Sequence, residues 1–190
     1  MRKFFKVPSL QTEMKYVAFL RAINVGSHIV KMDQLRDIFE TMDFDNVETF
    51  IASGNVIFDS RNKSPALLEK KIGTQLQQAL GYEVKTFIRT LEELADVTRQ
   101  LKSKDTGQQG NIIYVGFMAV TPDKILIKKL QQMSDKINDF RVHNREAYWL
   151  RRTSLGDSQY SMALIEKTLK TPITFRNVTT VRKILTKYAS

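Results

Sequence analysis

A chain of 190 residues with no cysteine, 42 % hydrophobic and 26 % charged residues has a globular composition. It excludes a disulfide framework, a thiolate metal site and a cysteine nucleophile, and it suits a reducing cytoplasm. The formal charge of +10 is uneven: residues 1–105 carry 16 Lys and Arg against 14 Asp and Glu, while residues 106–190 carry 14 against 6. A basic second half attracts anions such as nucleotides or nucleic acid, although a merely solvated basic face has the same composition.

Residues 1–13 read as a flexible extension. They begin basic, but Pro8, Ser9, Gln11 and Glu13 break the apolar run that a signal peptide needs, and Met14 directly precedes the first strand. No apolar run approaches the roughly 18 residues that cross a bilayer, so no membrane partner is expected. From Lys15 to Ala22 the chain is nearly continuously apolar, as in a strand covered on both faces. Asn24, Val25, Gly26 and Ser27 end it. Within Met32–Met42, Leu35, Ile38, Phe39 and Met42 recur at helical spacing. Val47–Ala52 and Asn55–Asp59 then form a hairpin about Ser53-Gly54, and Pro65 opens a helix that Gly81 closes. Val84–Arg89 is a fourth strand and Leu91–Leu101 a closing helix.

The polar stretch Lys102–Gly110 reads as a linker, after which the order repeats. Ile112–Val120 is a strand and Pro122–Met133 a helix with Pro122 near its first turn. Phe140–His143 and Ala147–Arg151 make a second hairpin. Ser158–Leu169 is a helix, Ile173–Phe175 a strand and Thr179–Tyr188 a last helix. The expected fold class is α+β: two tandem ferredoxin-like units of order β-α-β-β-α-β with antiparallel sheets. The expected boundaries are 14–103 for the first unit, 104–110 for the linker and 111–190 for the second, basic unit. The halves share this order without residue-by-residue identity.

Three stretches carry a family resemblance: Phe19 to Gly26 (FLRAINVG) followed by Met32 and Leu35, Ile51 to Phe58 (IASGNVIF), and Arg176 to Lys183 (RNVTTVRK). With this order and spacing the chain resembles the uncharacterised bacterial family called domain of unknown function 1697. The resemblance implies a fold rather than a reaction. Ala22 stands where that family usually has glycine, Ser27 where a second glycine follows Gly26, and Val178-Thr179 where a Trp-Asn pair is common.

In the split fold, strands one and two are parallel, so their carboxyl ends meet at one end of the sheet. The loop Asn24, Val25, Gly26, Ser27 and the hairpin tip Ser53, Gly54, Asn55 are then neighbours, flanked by Arg21 and Lys31. Backbone N–H groups, amides, hydroxyls and a helix amino end together suit an anion or phosphate. The alternative is that Asn24 and Asn55 tie off turns while Gly26 and Gly54 permit them. Arg176-Asn177 offers a second anion contact, or an inter-domain salt bridge beside a helix cap made by Asn177 or Thr179.

Catalytic signatures are missing. His28 and His143 are the two histidines, neither with carboxylates at metal-ligand spacing, and no phosphate-loop, dinucleotide or nucleophile-elbow motif occurs. No metal and no cofactor are expected. Phe19, Phe58, Tyr114, Phe117, Tyr148 and Trp149 lie on strands that stack bases in RNA-recognition domains, yet the basic-glycine-aromatic run of those domains is absent and a core role fits them better. Three readings follow. The chain is a binding module for an anionic small molecule, a nucleic-acid binder working through the basic second half, in which Arg141–Arg152 interleaves basic and aromatic residues, or an enzyme of unrecognised chemistry.

Overall fold

The computed structural model of the protein describes residues 13–24, 29–51, 54–106 and 108–189. Its first half runs β1 (Met14–Leu20), α1 (Met32–Glu40), β2 (Asp45–Thr49), β3 (Asn55–Ser60), α2 (Pro65–Leu80), β4 (Thr86–Thr90) and α3 (Leu91–Arg99). A short helix, α4 (Ser103–Thr106), lies in the expected linker. Then come β5 (Asn111–Phe117), α5 (Lys124–Gln131), β6 (Asn138–His143), β7 (Glu146–Arg152), α6 (Met162–Leu169), β8 (Thr174–Asn177) and α7 (Val178–Tyr188).

Local chemistry sets these boundaries. Ser64 accepts a hydrogen bond from Leu67 N with Pro65 behind it, and Gly81 ends α2 at φ 79°. Thr90 and Glu93 form a reciprocal capping box that starts α3. Two helices begin later than the sequence suggests, because a capping side chain defines each start. Asp123 accepts from Ile125 N at 2.7 Å, which leaves Pro122 outside α5, and Ser161 accepts from Leu164 N at 3.2 Å to open α6.

The strands form two separate antiparallel sheets, ordered β2-β3-β1-β4 and β6-β7-β5-β8. Alternation along β1 sends Tyr16, Ala18 and Leu20 to a core under α1 and α2, and Val17 and Phe19 to the opposite face. In the second sheet, Phe140 and Trp149 meet Leu130 of α5 and Ile165 and Leu169 of α6. The remaining two faces meet each other. Val17, Phe19, Ile57 and Phe87 share one core with Ile113, Val115, Phe117, Tyr148 and Leu150, with Leu94 and Val97 of α3 and with Val178, Val181 and Ile184 of α7. Phe19 and Phe117 stack at its centre with ring centroids 3.9 Å apart.

Register relates the halves as counterparts. Phe19 pairs with Asn55 as Phe117 pairs with Glu146, and Val17 pairs with Arg89 as Val115 pairs with Arg176. The likeness of the halves is therefore one of geometry, carried by few identical residues.

Candidate functional site

β1 ends at Leu20, whose N–H donates to the Gly54 carbonyl at 2.8 Å. This bond joins the β2–β3 tip to the end of β1, so Gly54 and Asn55 lie beside Leu20, the last residue of that strand. Gly54 has φ 73°, and a Cβ on it would collide with the Ile23 side chain. Glycine is required there by both conformation and space.

Most polar groups at this end hold the chain itself. Asn24 Oδ1 accepts from Val30 N at 2.7 Å, closing the loop before α1. Asn55 is fully buried and donates to the Phe50 carbonyl at 2.9 Å. Lys31 is exposed at the N-cap position of α1, where its side chain makes no capping bond. Gly26, Ser27 and Ser53, together with Val25 and His28, lie outside the described residues.

Arg176 is buried between the halves. It donates from Nε to Asn55 Oδ1 at 2.6 Å, from Nη2 to the Leu20 carbonyl at 2.9 Å, and from Nη1 to Thr174 Oγ1 at 2.9 Å. Its guanidinium lies over the Phe19 ring. Burial pushes its pKa down to about 10, so it remains cationic at neutral pH. Asn177 caps α7 by accepting from both the Thr179 amide and its hydroxyl, each at 2.9 Å. Of the two cap candidates Asn177 is the acceptor, and Thr179 is a donor to it.

The counterpart contact was invisible to sequence reasoning. Arg89, fully buried on β4, donates from Nε to Glu146 Oε1 at 2.6 Å and from Nη2 to the Met118 carbonyl at 2.8 Å, and it lies over Phe117. Burial lowers its pKa while the Glu146 carboxylate opposes the shift. Each half thus sends one arginine into the hairpin tip of the other. Arg89 stands two residues after Phe87 and so shares its face of β4, but nothing local names its partner.

Arg21 is placed differently. It is half-exposed, and its Nη2 donates to Glu166 Oε1 on α6 at 2.9 Å. Together with Lys167, Lys170, Thr171 and Pro172 these residues line an open cleft of about 350 Å³ between the end of β1 and α6. Lys170, at φ 51°, ends α6.

The basic run Arg141–Arg152 is largely paired: Arg141 with Asp105, Arg145 with Glu93 and Arg151 with Asp157. Phe19, Phe58, Phe117, Tyr148 and Trp149 are core residues, as expected, and Tyr114 is half-buried against Trp149. Among the described residues, no group of three or more His, Asp or Glu is arranged to hold a metal, and no helix is long and apolar enough to cross a membrane.

With this geometry in view, the comparisons with known proteins define a family. The chain belongs to the family described as protein of unknown function (DUF1697), whose profile matches residues 14–148. No curated protein matches significantly. Among solved structures, the conserved bacterial protein SP0830 from Streptococcus pneumoniae is similar at 22 % identity and a TM-score of 0.73, covering 94 % of this chain and 99 % of that one. The similarity is one of fold.

Proposed function

We propose that the protein is a cytoplasmic binding module for an anionic small molecule, such as a nucleotide or another phosphate-bearing compound, held at the end of the first sheet. The carrying observation is the cleft in which Arg21 faces α6, with Lys167 and Lys170 on the opposite wall and Glu166 as the single carboxylate of the lining. Three cations against one anion leave the cleft electropositive. A guanidinium already oriented by Glu166 gives directional, charge-assisted bonds to an incoming oxyanion. Lys31 adds charge at the start of α1.

This reading moves the weight from the asparagines and Arg176, which bond protein groups, to Arg21 and the residues of α6. It treats residues 14–103 and 111–190 as tandem ferredoxin-like units, a reading supported by the strand orders. A small molecule fits better than nucleic acid, because most of the aromatics that would stack bases are buried and Arg141, Arg145 and Arg151 of the basic run are ion-paired.

Calorimetric titration of a nucleotide panel and a short oligonucleotide, at low and physiological salt, tests this. Arg21→Ala and Lys170→Ala are expected to weaken nucleotide binding by about tenfold, ~1.4 kcal/mol each, with Lys63→Ala unchanged. Saturable binding to none of the panel overturns the proposal. Equal losses in all three variants that vanish with salt point instead to diffuse nucleic-acid binding.

A further inference from the structure

The two outer edges of the molecule are counterparts that finish differently. Glu48 pairs with Ile57 as Arg141 pairs with Tyr148, so Glu48, Phe50 and Ile57 at the first edge correspond to Arg141, His143 and Tyr148 at the second. Counting onward from Arg176 and Arg89, Lys187 and Tyr188 at the end of α7 correspond to Gln100 and Leu101 after α3.

At the first edge α7 reaches Tyr188 and closes the surface. Lys187 Nζ and the Tyr188 hydroxyl both donate to Glu48 Oε2, at 2.6 and 2.7 Å, and the Tyr188 ring stands edge-on to Phe50. At the second edge α3 stops at Arg99, and the corresponding space is an open cleft of about 280 Å³. Gln100, Lys102, Gln131, Arg141, His143 and Tyr148 line it, with Val142.

That lining contains no carboxylate and is rich in donors. Arg141 spends Nη2 on Asp105 and Asp139, at 2.6 and 3.1 Å, while its buried Nε has no hydrogen-bond partner. Tyr148 is 6 % exposed, and its hydroxyl bonds to no described residue. Burial, reinforced by nearby Glu146, keeps that hydroxyl protonated and hence a donor. A buried donor left unmatched is costly, and an oxyanion is the group that satisfies Arg141 Nε together with the other donors of the lining.

We propose that this cleft binds a small organic anion, a carboxylate or a phosphate ester, with Lys102 supplying charge and Arg141 Nε, the Tyr148 hydroxyl and the Gln100 and Gln131 amides supplying hydrogen bonds. The site is independent of the Arg21 cleft and uses none of its residues. The volume lies just under the usual ~300–1,000 Å³ of ligand pockets and suits a ligand of few atoms.

The test is titration of the full chain with succinate and, separately, with glycerol phosphate, followed by amide NMR. Saturable shifts at Gln131, Val142 and His143 are expected with at least one probe, and the better probe identifies the anion class. Tyr148→Phe keeps the ring and removes the donor, Lys102→Ala alters only an exposed side chain, and each is expected to weaken binding about tenfold. His143→Phe, which installs the residue type found at Phe50, is expected to abolish the shifts by filling the cleft. Arg21→Ala is expected to leave them unchanged. Absence of saturable shifts with both probes, or affinities unaffected by Tyr148→Phe and Lys102→Ala, overturns the proposal.

Discussion

Arg89 and Arg176 are counterparts in position but not in company, since the first meets the Glu146 carboxylate and the second the Asn55 amide oxygen. Removing one partner of a buried ion pair strands the other charge. Arg89→Met is therefore expected to cost about 3–5 kcal/mol, and the double change Arg89→Met with Glu146→Leu to recover part of that loss. Urea denaturation of the single and double variants measures this, and additive losses would contradict the assignment. Ala22 carries a smaller strain. It is exposed at φ 59°, in the left-handed region where an L side chain is penalised and glycine is not. Ala22→Gly is expected to stabilise the protein by about 0.5–1 kcal/mol, after the greater freedom of glycine in the unfolded chain is deducted, visible as a higher denaturant midpoint at unchanged slope. The sequence offers an inter-domain salt bridge as one use of Arg176; the structure gives it an inter-domain contact, made to the Asn55 amide oxygen and to backbone carbonyls. The sequence could not name Asn55 as the partner, because the two lie 121 residues apart and no local pattern encodes such a distance.

Element by element, the features legible in the sequence are those with local causes. Proline at the start of α2, glycine at its end and the apolar stripes of α1 and α2 appear near the expected positions because caps and periodicity are short-range. The starts of α5 and α6 were less legible, since several nearby residues compete as cap and only the folded chain selects Asp123 and Ser161. The candidate site divides in the same way. The meeting of the β1 end with the hairpin tip follows from strand order, whereas the wall supplied by α6 comes from the other half of the chain and leaves no trace near Arg21. Among the caps, that of α3 bears on the whole fold, because Leu94 and Val97 of this helix sit in the core shared by both sheets. Thr90→Ala is expected to cost about 1 kcal/mol, lowering Tm by roughly 2–4 °C in a single transition. A separate early transition in far-ultraviolet circular dichroism, with the rest of the protein intact, would show that α3 frays alone.

For the molecule as a whole, the shared core makes each sheet the lid of the other. A chain limited to residues 13–102 would expose Val17, Phe19, Ile57 and Phe87, which are almost fully buried in the intact protein. At ~1.5–3 kcal/mol for each large side chain, this loss rivals the whole stability of a typical domain, ~5–15 kcal/mol. The first half alone is expected to lack a cooperative thermal transition and to regain one when the second half is supplied in trans. A cooperative melt of the isolated first half would refute that dependence.

The reciprocal arginines also set a schedule for synthesis. Asn55 and the Gly54 carbonyl leave the ribosome 121 and 122 residues before Arg176, which completes their hydrogen bonding. At ~5–20 residues per second this gap lasts roughly 6–24 s. During that interval the nascent first half carries an uncovered aromatic face and the unpaired cation of Arg89, whose partner Glu146 emerges 57 residues after it. Slowing translation between Glu146 and Arg176 is therefore expected to increase aggregation of the nascent chain, because it lengthens the period before the last strand is made.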